Sequence, residues 1–278
     1  MSTKKILVFL LIVTSAVLFT AHAFAAGVKI GVFANIGLNE DDLIRWSEKV
    51  AEAEGKTVPF KNPNTLIIYD TLTSMLLDLQ AGRIDRIALN KTTGKYIVAW
   101  NDNLQLNDNH HIPVLGYSIA MRNGNEETMS LINKAITDMK LDGTLDNLIK
   151  RWLTDSDPHE TIAVQLPVFD DADTIKVAVT GALPPLDVIR PDGMPSGFNT
   201  AFIAELSKRL HKNFSLVSVT ASARGEALLS QKVDAVFWTR GTYDSEGKPL
   251  PYLLDAIEGV IVSEPYFIDS RVSVSLKK

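Results

Sequence analysis

The sequence contains no cysteine, and this absence excludes several kinds of site at once. Such a chain has no disulfide scaffold, no cysteine-ligated zinc or iron–sulfur site and no thiol nucleophile. It also lacks an excess of positive charge: 28 Lys and Arg against 33 Asp and Glu give a net charge of −5, which argues against a partner made of nucleic acid. Its hydrophobic fraction of 46% is that of a globular protein, and 278 residues suggest one large or two modest domains.

The first 26 residues have the pattern of a secretory signal peptide. Lys4 and Lys5 precede an apolar run over residues 6–19, and small-x-small cleavage sites follow within residues 21–25. The run of about 14 residues is shorter than the roughly 20 that a membrane-spanning helix needs. We therefore expect residues 1–26 to be removed and the rest of the chain to be exported to the periplasm.

Strand-like and helix-like segments alternate after this leader. Residues 28–33, 65–69 and 83–89 are typical of strands, and amphipathic helices are predicted over residues 38–54 and 72–79. Asp70 or Thr71 can cap the second helix, and Gly82 ends it. This alternation predicts a parallel sheet covered by helices.

The same plan begins again after a long irregular stretch. Residues 154–173 hold two prolines and five aspartates without a period, which predicts a linker on the surface. Strands are then predicted over 175–180, 214–219 and 233–238, with a helix from Asn199, as its cap, to Leu210. The tracts 76–85 and 227–234 match in their order of helix, stop and strand, so the two halves indicate one architecture used twice.

These segments resemble the bacterial extracellular solute-binding proteins of family 3. The residues that carry the likeness to the family's usual beginning are Pro184-Pro185, Asp192-Gly193 and Gly197-Phe198-Asn199. Residues 263–267 are similar to the family's entry into its first hinge strand. Residues 31–37, 69–70 and 82–85 resemble its second lobe, and residues 117–125, 142–145 and 150–152 resemble its usual end. The likeness covers nearly all of the exported chain, in a rotated order.

The resemblance implies an α/β, two-lobed periplasmic-binding-protein fold of type II topology that is circularly permuted, with hinge strands between the lobes. The implied domains are residues 27–112 as lobe 2, with residues 269–278 returning at the hinge beside Val28, and residues 113–268 as lobe 1. In lobe 1 the linker 154–173 joins the family's usual C- and N-termini. Permutation is tolerated where termini lie close together at a surface.

The resemblance also implies a function. It predicts a monomeric, non-catalytic protein that captures a small carboxylate-bearing solute, an amino acid or related organic acid, for the membrane subunits of an ABC importer. No cofactor, metal or nucleic acid is expected. Two alternatives remain open: a cleft enzyme resembling the cyclohexadienyl dehydratases, and a ligand-sensing receptor component. An enzyme needs titratable groups that converge on the substrate, and no spacing in the sequence marks such a set.

Candidate ligand-binding residues follow from the rule that ligands bind outside the carboxyl ends of parallel strands. Arg240 is the first candidate to hold a carboxylate, because a guanidinium can donate two parallel hydrogen bonds. The Thr-x-x-Arg context of the family's arginine is missing, so this assignment is by role. Arg224 is a second candidate, with a surface salt bridge as the alternative. The other predicted ligand-binding residues are Asn35, Asn90, Gly181, Leu186, Asp187, Trp238, Thr239 and Tyr266.

Asn90 departs from the family in a way that bears on the ligand. Family members that bind α-amino acids commonly present an aspartate to the ligand ammonium at this position. An amide there favours an anion without an amino group, or an amine bound by another group, for example Asp187. Phe237 and Trp238 are expected on opposite faces of their strand, one in the core and the other in the cleft, with the choice left open.

Overall fold

The computed structural model describes residues 27–34, 65–108, 114–243, 249–253 and 258–277. The predicted signal peptide and the predicted helix over residues 38–54 lie outside these ranges. Within them, no helix combines the length and the apolar character needed to cross a membrane.

Most predicted elements are present, and several have revised bounds. The strands of the described residues are β1 (Lys29–Phe33), β2 (Thr65–Tyr69), β3 (Arg86–Asn90), β4 (Leu104–Asp108), β5 (Val114–Arg122), β6 (Thr174–Val179), β7 (Ala182–Leu183), β8 (Asp187–Ile189), β9 (Pro195–Ser196), β10 (Asn213–Ser218), β11 (Ala235–Tyr243), β12 (Pro249–Leu253), β13 (Val260–Val262), β14 (Phe267–Asp269) and β15 (Arg271–Leu276). The helices are α1 (Leu72–Gln80), α2 (Lys91–Ala99), α3 (Glu126–Leu141), α4 (Thr144–Ile149), which continues as a π-helical turn over Lys150–Thr154, α5 (Phe198–Leu210) and α6 (Arg224–Leu229).

Two mixed sheets share one strand order. The first sheet runs β2-β1-β3-β15-β4 and the second runs β10-β6-β11-β5-β13. In each sheet the second strand pairs in parallel with both of its neighbours, and the fourth strand is antiparallel to the strands on either side. We call the unit around the first sheet lobe 2 and the unit around the second sheet lobe 1. The expectation of one architecture used twice is confirmed by this shared order.

The C-terminal strand completes the sheet of lobe 2. After β14, which pairs with β5 of lobe 1, the chain passes through Ser270 and enters β15, which pairs with β3 and β4. The tail does not pair with the strand that follows Val28, because β2 and β3 occupy both edges of β1. The tail forms β15, and β3 lies between β15 and β1 in the sheet.

The same turn precedes the third strand of both sheets. Asp85 Oδ2 accepts a hydrogen bond from Lys29 N at 2.8 Å, and Asp234 Oδ2 accepts one from Lys176 N at 2.9 Å. Three residues before each aspartate the backbone is left-handed, with φ of 67° at Gly82 and 65° at Gln231. The matching tracts in the sequence therefore encode one turn, in which a glutamine holds the position that glycine favours.

Replacing Gln231 with glycine is expected to stabilise the protein by about 0.5–1 kcal/mol. A left-handed L-residue costs roughly 1–2 kcal/mol, and glycine loses roughly 0.5–1 kcal/mol more than other residues when it is ordered. Calorimetry should show a rise in melting temperature of roughly 2 °C. Gly82→Ala, in the equivalent turn, should lower it, and a lower melting temperature in Gln231→Gly would contradict this account.

Helix α2 is absent from the sequence prediction. Its residues include Gly94, Thr92 and Thr93, which are weak helix formers. Packing explains the helix: a Cβ built at Gly94 would lie 2.7 Å from Val272 Cγ2 of β15, so only glycine lets the helix approach this strand. The position of α2 therefore depends on its packing against β15, which is far from α2 in the sequence.

Candidate functional site

A cavity of about 220 Å³ lies between the two lobes. Lobe 2 contributes the end of β1 and the passage from β2 into α1, and lobe 1 contributes the segments that follow β6 and β10. Both sets lie at the carboxyl ends of parallel strands, where α/β sheets bind ligands. The described residues that line the cavity are Phe33, Asp70, Thr71, Leu72, Thr180, Ala182, Leu183, Ser218, Val219 and Thr220.

The lining combines apolar walls with hydroxyl groups and a carboxylate. Thr71 is the N-cap of α1, and its Oγ1 accepts a hydrogen bond from Ser74 N at 3.1 Å, which confirms the predicted Thr71 cap. The N-terminus of α1 therefore opens onto the cavity, and its dipole favours a negative group of a ligand. Asp70, the residue before the cap, adds a negative charge to the same wall.

Among the described residues, hydrogen bonds from Ser222 and Arg224 join the lobes beside the cavity. Ser222 N in lobe 1 donates to Asp70 Oδ1 in lobe 2 at 2.9 Å. Arg224 Nη2 in lobe 1 donates to the carbonyl of Ala34 in lobe 2 at 3.0 Å. The structure therefore holds the two sides of the cleft in contact along the loop that leads into α6.

Arg224 and Asp187 are both buried in lobe 1, and the charge of Arg224 acts on Asp187. Arg224 is 0% exposed, which excludes the surface salt bridge considered for it, and its Nε donates to the carbonyl of Ala221 at 2.9 Å. Burial raises the pKa of Asp187, while its hydrogen bonds with Thr180 and the charge of Arg224 oppose that rise. Thr180 lines the cavity and donates from Oγ1 to Asp187 Oδ1 at 2.6 Å, so Asp187 orients a cavity wall from behind.

Leu186 and Tyr266 lie in the core of lobe 1. Leu186 is 0% exposed. The Tyr266 ring stacks on Phe202 with centroids 4.4 Å apart, and its hydroxyl lies 2.8 Å from the carbonyl of Phe237 and 3.1 Å from Asn199 Oδ1. Phe237 belongs to the same aromatic cluster, which assigns it to the core.

Asn199 does not cap α5 as the sequence predicted. Helix α5 begins at Phe198, after Gly197 with φ of 99°. Asn199 is buried and its Oδ1 lies beside the Tyr266 hydroxyl, so the core engages the side chain that the sequence assigned to the cap. The chain turn at Gly197 provides the start of the helix in its place.

Three predicted site residues lie inside a strand that is longer than predicted. The sequence ended the strand at Trp238, whereas β11 continues to Tyr243, with Thr239 opposite Ser118 and Arg240 opposite Tyr117 of β5. The antiparallel partner strand accounts for this extension. The side chains of Trp238, Thr239 and Arg240, and all of Asn35, lie outside the described part of the chain.

Of the remaining predicted residues, Gly181 adjoins the cavity along the chain and Asn90 lies beside Asp269. Gly181, with φ of 69°, connects the lining residues Thr180 and Ala182. Asn90 ends β3 at the hinge, where it is buried next to Asp269. None of the six predicted residues that the structure describes in full is among those that line the cavity. The lining residues Asp70 and Val219 lie at the ends of strands predicted over residues 65–69 and 214–219, and the choice of site residues did not use this signal.

Comparisons with known proteins identify a family for part of the chain. Residues 175–243 match the model of the bacterial extracellular solute-binding proteins, family 3. L-cystine-binding protein TcyJ from Escherichia coli strain K12 is 28% identical over 131 residues, and the matched segment covers 45% of this chain and 42% of the relative. The protein of the same name from Escherichia coli O6:H1 gives the same values. The chain thus spans less than half the length of the curated relatives it matches.

Solved structures show a looser likeness. The GluR0 ligand-binding core from Nostoc punctiforme with L-glutamate has a TM-score of 0.36 and 13% identity, covering 90% of this chain and 85% of that one. The ligand-binding component of an ABC-type import system from Staphylococcus aureus with zinc bound has a TM-score of 0.41 and 10% identity, covering 90% and 65%. By its sequence match, the segment over residues 175–243 is similar to the bacterial extracellular solute-binding proteins, family 3.

Proposed function

We propose that the chain is a periplasmic binding protein that captures a small carboxylate-bearing solute, an amino acid or related organic acid, for an ABC importer. The observation that supports this most strongly is the cavity of about 220 Å³ between the two lobes. It lies at the carboxyl ends of the parallel pair β1 and β2 in one sheet and the parallel pair β6 and β10 in the other. The proposal includes export after cleavage of residues 1–26 and action as a monomer, without catalysis or a cofactor. Its partners are the solute and the membrane subunits of the importer.

The proposal extends to the chain order, which we take to be circularly permuted. Residues 27–112, with 269–278 at the hinge, are proposed as lobe 2, and residues 113–268 as lobe 1. In support, the family match begins at residue 175, directly after the linker 154–173, in the second half of the chain. The strand that opens the match, β6, holds the same place in its sheet as β1 does in the other.

A carboxylate is favoured by two features on opposite sides of the cleft. In lobe 2 the N-terminus of α1 opens onto the cavity. In lobe 1, β11 carries Arg240 opposite Tyr117 of β5, and arginine is the residue type that can donate two parallel hydrogen bonds to a carboxylate. The cavity is smaller than the roughly 300–1,000 Å³ of drug-sized ligand pockets, which suits a solute of amino-acid size.

Binding of such a solute should raise the melting temperature, and Arg240→Ala should abolish the rise. At a ligand concentration of about 100 times Kd the stabilisation is about 2.7 kcal/mol, or roughly 5–10 °C for a chain of this size. The measurement is a thermal-shift screen of amino acids including L-cystine, keto acids and aromatic acids. Product analysis of each hit then separates capture from turnover.

Arg209→Ala is the control, because this lobe 1 arginine pairs with Asp142 at 2.7 Å and is not among the residues that line the cavity. Its ligand-induced shift should equal that of the wild type. A shift that persists in Arg240→Ala removes Arg240 from the site. A wild-type protein that responds to none of the acids contradicts the proposed function.

A further inference from the structure

Part of the linker connects the two lobes outside the cavity lining. We call residues 156–164 of the linker the strap. Ser196 Oγ of β9 donates to the carbonyl of Ile162 at 2.6 Å. Val164 N donates to the carbonyl of Pro195 at 2.8 Å, and the Val164 side chain is buried against α5. The C-terminal part of the strap is therefore fixed to lobe 1.

The N-terminal part of the strap contacts lobe 2 through Trp100. This residue directly follows α2, and its Nε1 donates to the carbonyl of Pro158 at 2.8 Å. The rings of Trp100 and His159 lie with their centroids 4.6 Å apart. Asp157 shapes the strap here, because its Oδ1 accepts from His159 N at 2.8 Å. A hydrogen bond and a ring contact thus join one side chain of lobe 2 to two consecutive residues of the strap.

Helix α2 separates this contact from the hinge. The start of the helix is held at the hinge, where Thr92 N donates to Asp269 Oδ2 at 2.8 Å. The nine residues of α2 span about 13 Å, so Trp100 lies roughly that far from the hinge contact. A hinge rotation that moves this end of α2 away from lobe 1 breaks the hydrogen bond to Pro158. The contact therefore opposes such a rotation from a position where the hinge itself exerts little control.

We propose that the strap acts as a latch, which holds the lobes together through Trp100 and restrains the opening of the cleft. The inference goes beyond the proposed function, because it concerns the free protein and does not depend on the solute. A neutral hydrogen bond and an aromatic contact together change a two-state equilibrium by about tenfold. Because the affinity for a ligand scales with the populated fraction of the binding state, the latch also strengthens the binding of any solute that the closed lobes hold.

The test measures the distance between the lobes in the purified chain, without added solute, by pulsed electron paramagnetic resonance. Because the sequence has no cysteine, Leu77→Cys in α1 and Leu131→Cys in α3 direct one spin label to each lobe. Both leucines are exposed. Trp100→Ala should raise the ratio of the long-distance to the short-distance population about tenfold. Trp100→Phe keeps an aromatic ring but loses the N–H donor, and should raise the ratio by less.

Two variants of the linker complete the test. His159→Ala removes the ring contact from the side of lobe 1 and should give a smaller rise than Trp100→Ala, because the Pro158 carbonyl remains. Val168→Ala is the matched control, since Val168 is an 82% exposed residue of the same linker, and it should leave the distances unchanged.

Unchanged distances in Trp100→Ala overturn the inference, and so does an equal change in Val168→Ala. A rise in Trp100→Ala without one in His159→Ala supports the latch and assigns it to the hydrogen bond with Pro158. Since these measurements use no solute, a chain that binds none of the acids contradicts the proposed function alone.

Discussion

Arg224→Met is expected to destabilise the protein by about 3–5 kcal/mol. The guanidinium is fully buried and donates to the carbonyls of Ala221 and Ala34. Its positive charge also opposes the rise that burial causes in the pKa of Asp187. Removal of one partner of a buried charged group leaves the other uncompensated, and this accounts for most of the loss. Methionine retains the apolar stem, so the change tests the charge. Urea denaturation measures the free energy of unfolding.

Two further variants show whether the buried charge is responsible. Arg83→Met removes an exposed arginine that pairs with Asp78 in lobe 2, and should change the free energy of unfolding by no more than about 1 kcal/mol. Asp187→Asn should recover part of the loss when it is added to Arg224→Met, because the uncompensated carboxylate is gone. Strictly additive effects of Arg224→Met and Asp187→Asn would show that the two side chains do not interact.

Gly197→Ala is expected to lower the free energy of unfolding by about 2–5 kcal/mol. The backbone at Gly197 has φ of 99° and ψ of 171°, a region open almost only to glycine, which costs other residues roughly 1–3 kcal/mol. A Cβ there would also lie 2.7 Å from the Leu186 carbonyl oxygen and 2.8 Å from that of Pro185, and overpacking adds roughly 1–3 kcal/mol. Calorimetry should show a fall in melting temperature of roughly 5–15 °C.

Gly193→Ala separates backbone strain from crowding. Gly193 has φ of 80°, but a Cβ built there meets nothing within 4 Å. Its replacement should therefore cost only the strain, about 1–2 kcal/mol. Losses of equal size at the two glycines would show that crowding against the Leu186 and Pro185 carbonyls contributes nothing.

The sequence was sufficient to predict elements whose capping residues and hydrophobic pattern are local. Helix α1 is an example, with Thr71 at its start and Gly82 after its end. Helix α2 and the second half of β11 were missed because their causes are remote. The first depends on the close approach of Gly94 to Val272, and the second on pairing with β5. Contacts of this kind are absent from any window of neighbouring residues.

The rule that ligands bind at the carboxyl ends of strands pointed to the edge of both sheets at which the cavity lies. It does not say which side of a loop faces the other lobe. Asp187 and Leu186 therefore remained candidates although both are buried, and Asp70 was read only as a possible helix cap although it lines the cavity.

The C-terminal strand β15 has a consequence for the order in which the molecule matures. Lobe 2 is synthesised first, yet its sheet has a gap between β3 and β4 until the last strand arrives. The hinge partners Asn90 and Asp269 are likewise 179 residues apart in the sequence. Pairings at this separation form late, so the lobe made first is completed last. A nascent chain of this design keeps an incomplete lobe 2 sheet until β15 has been synthesised.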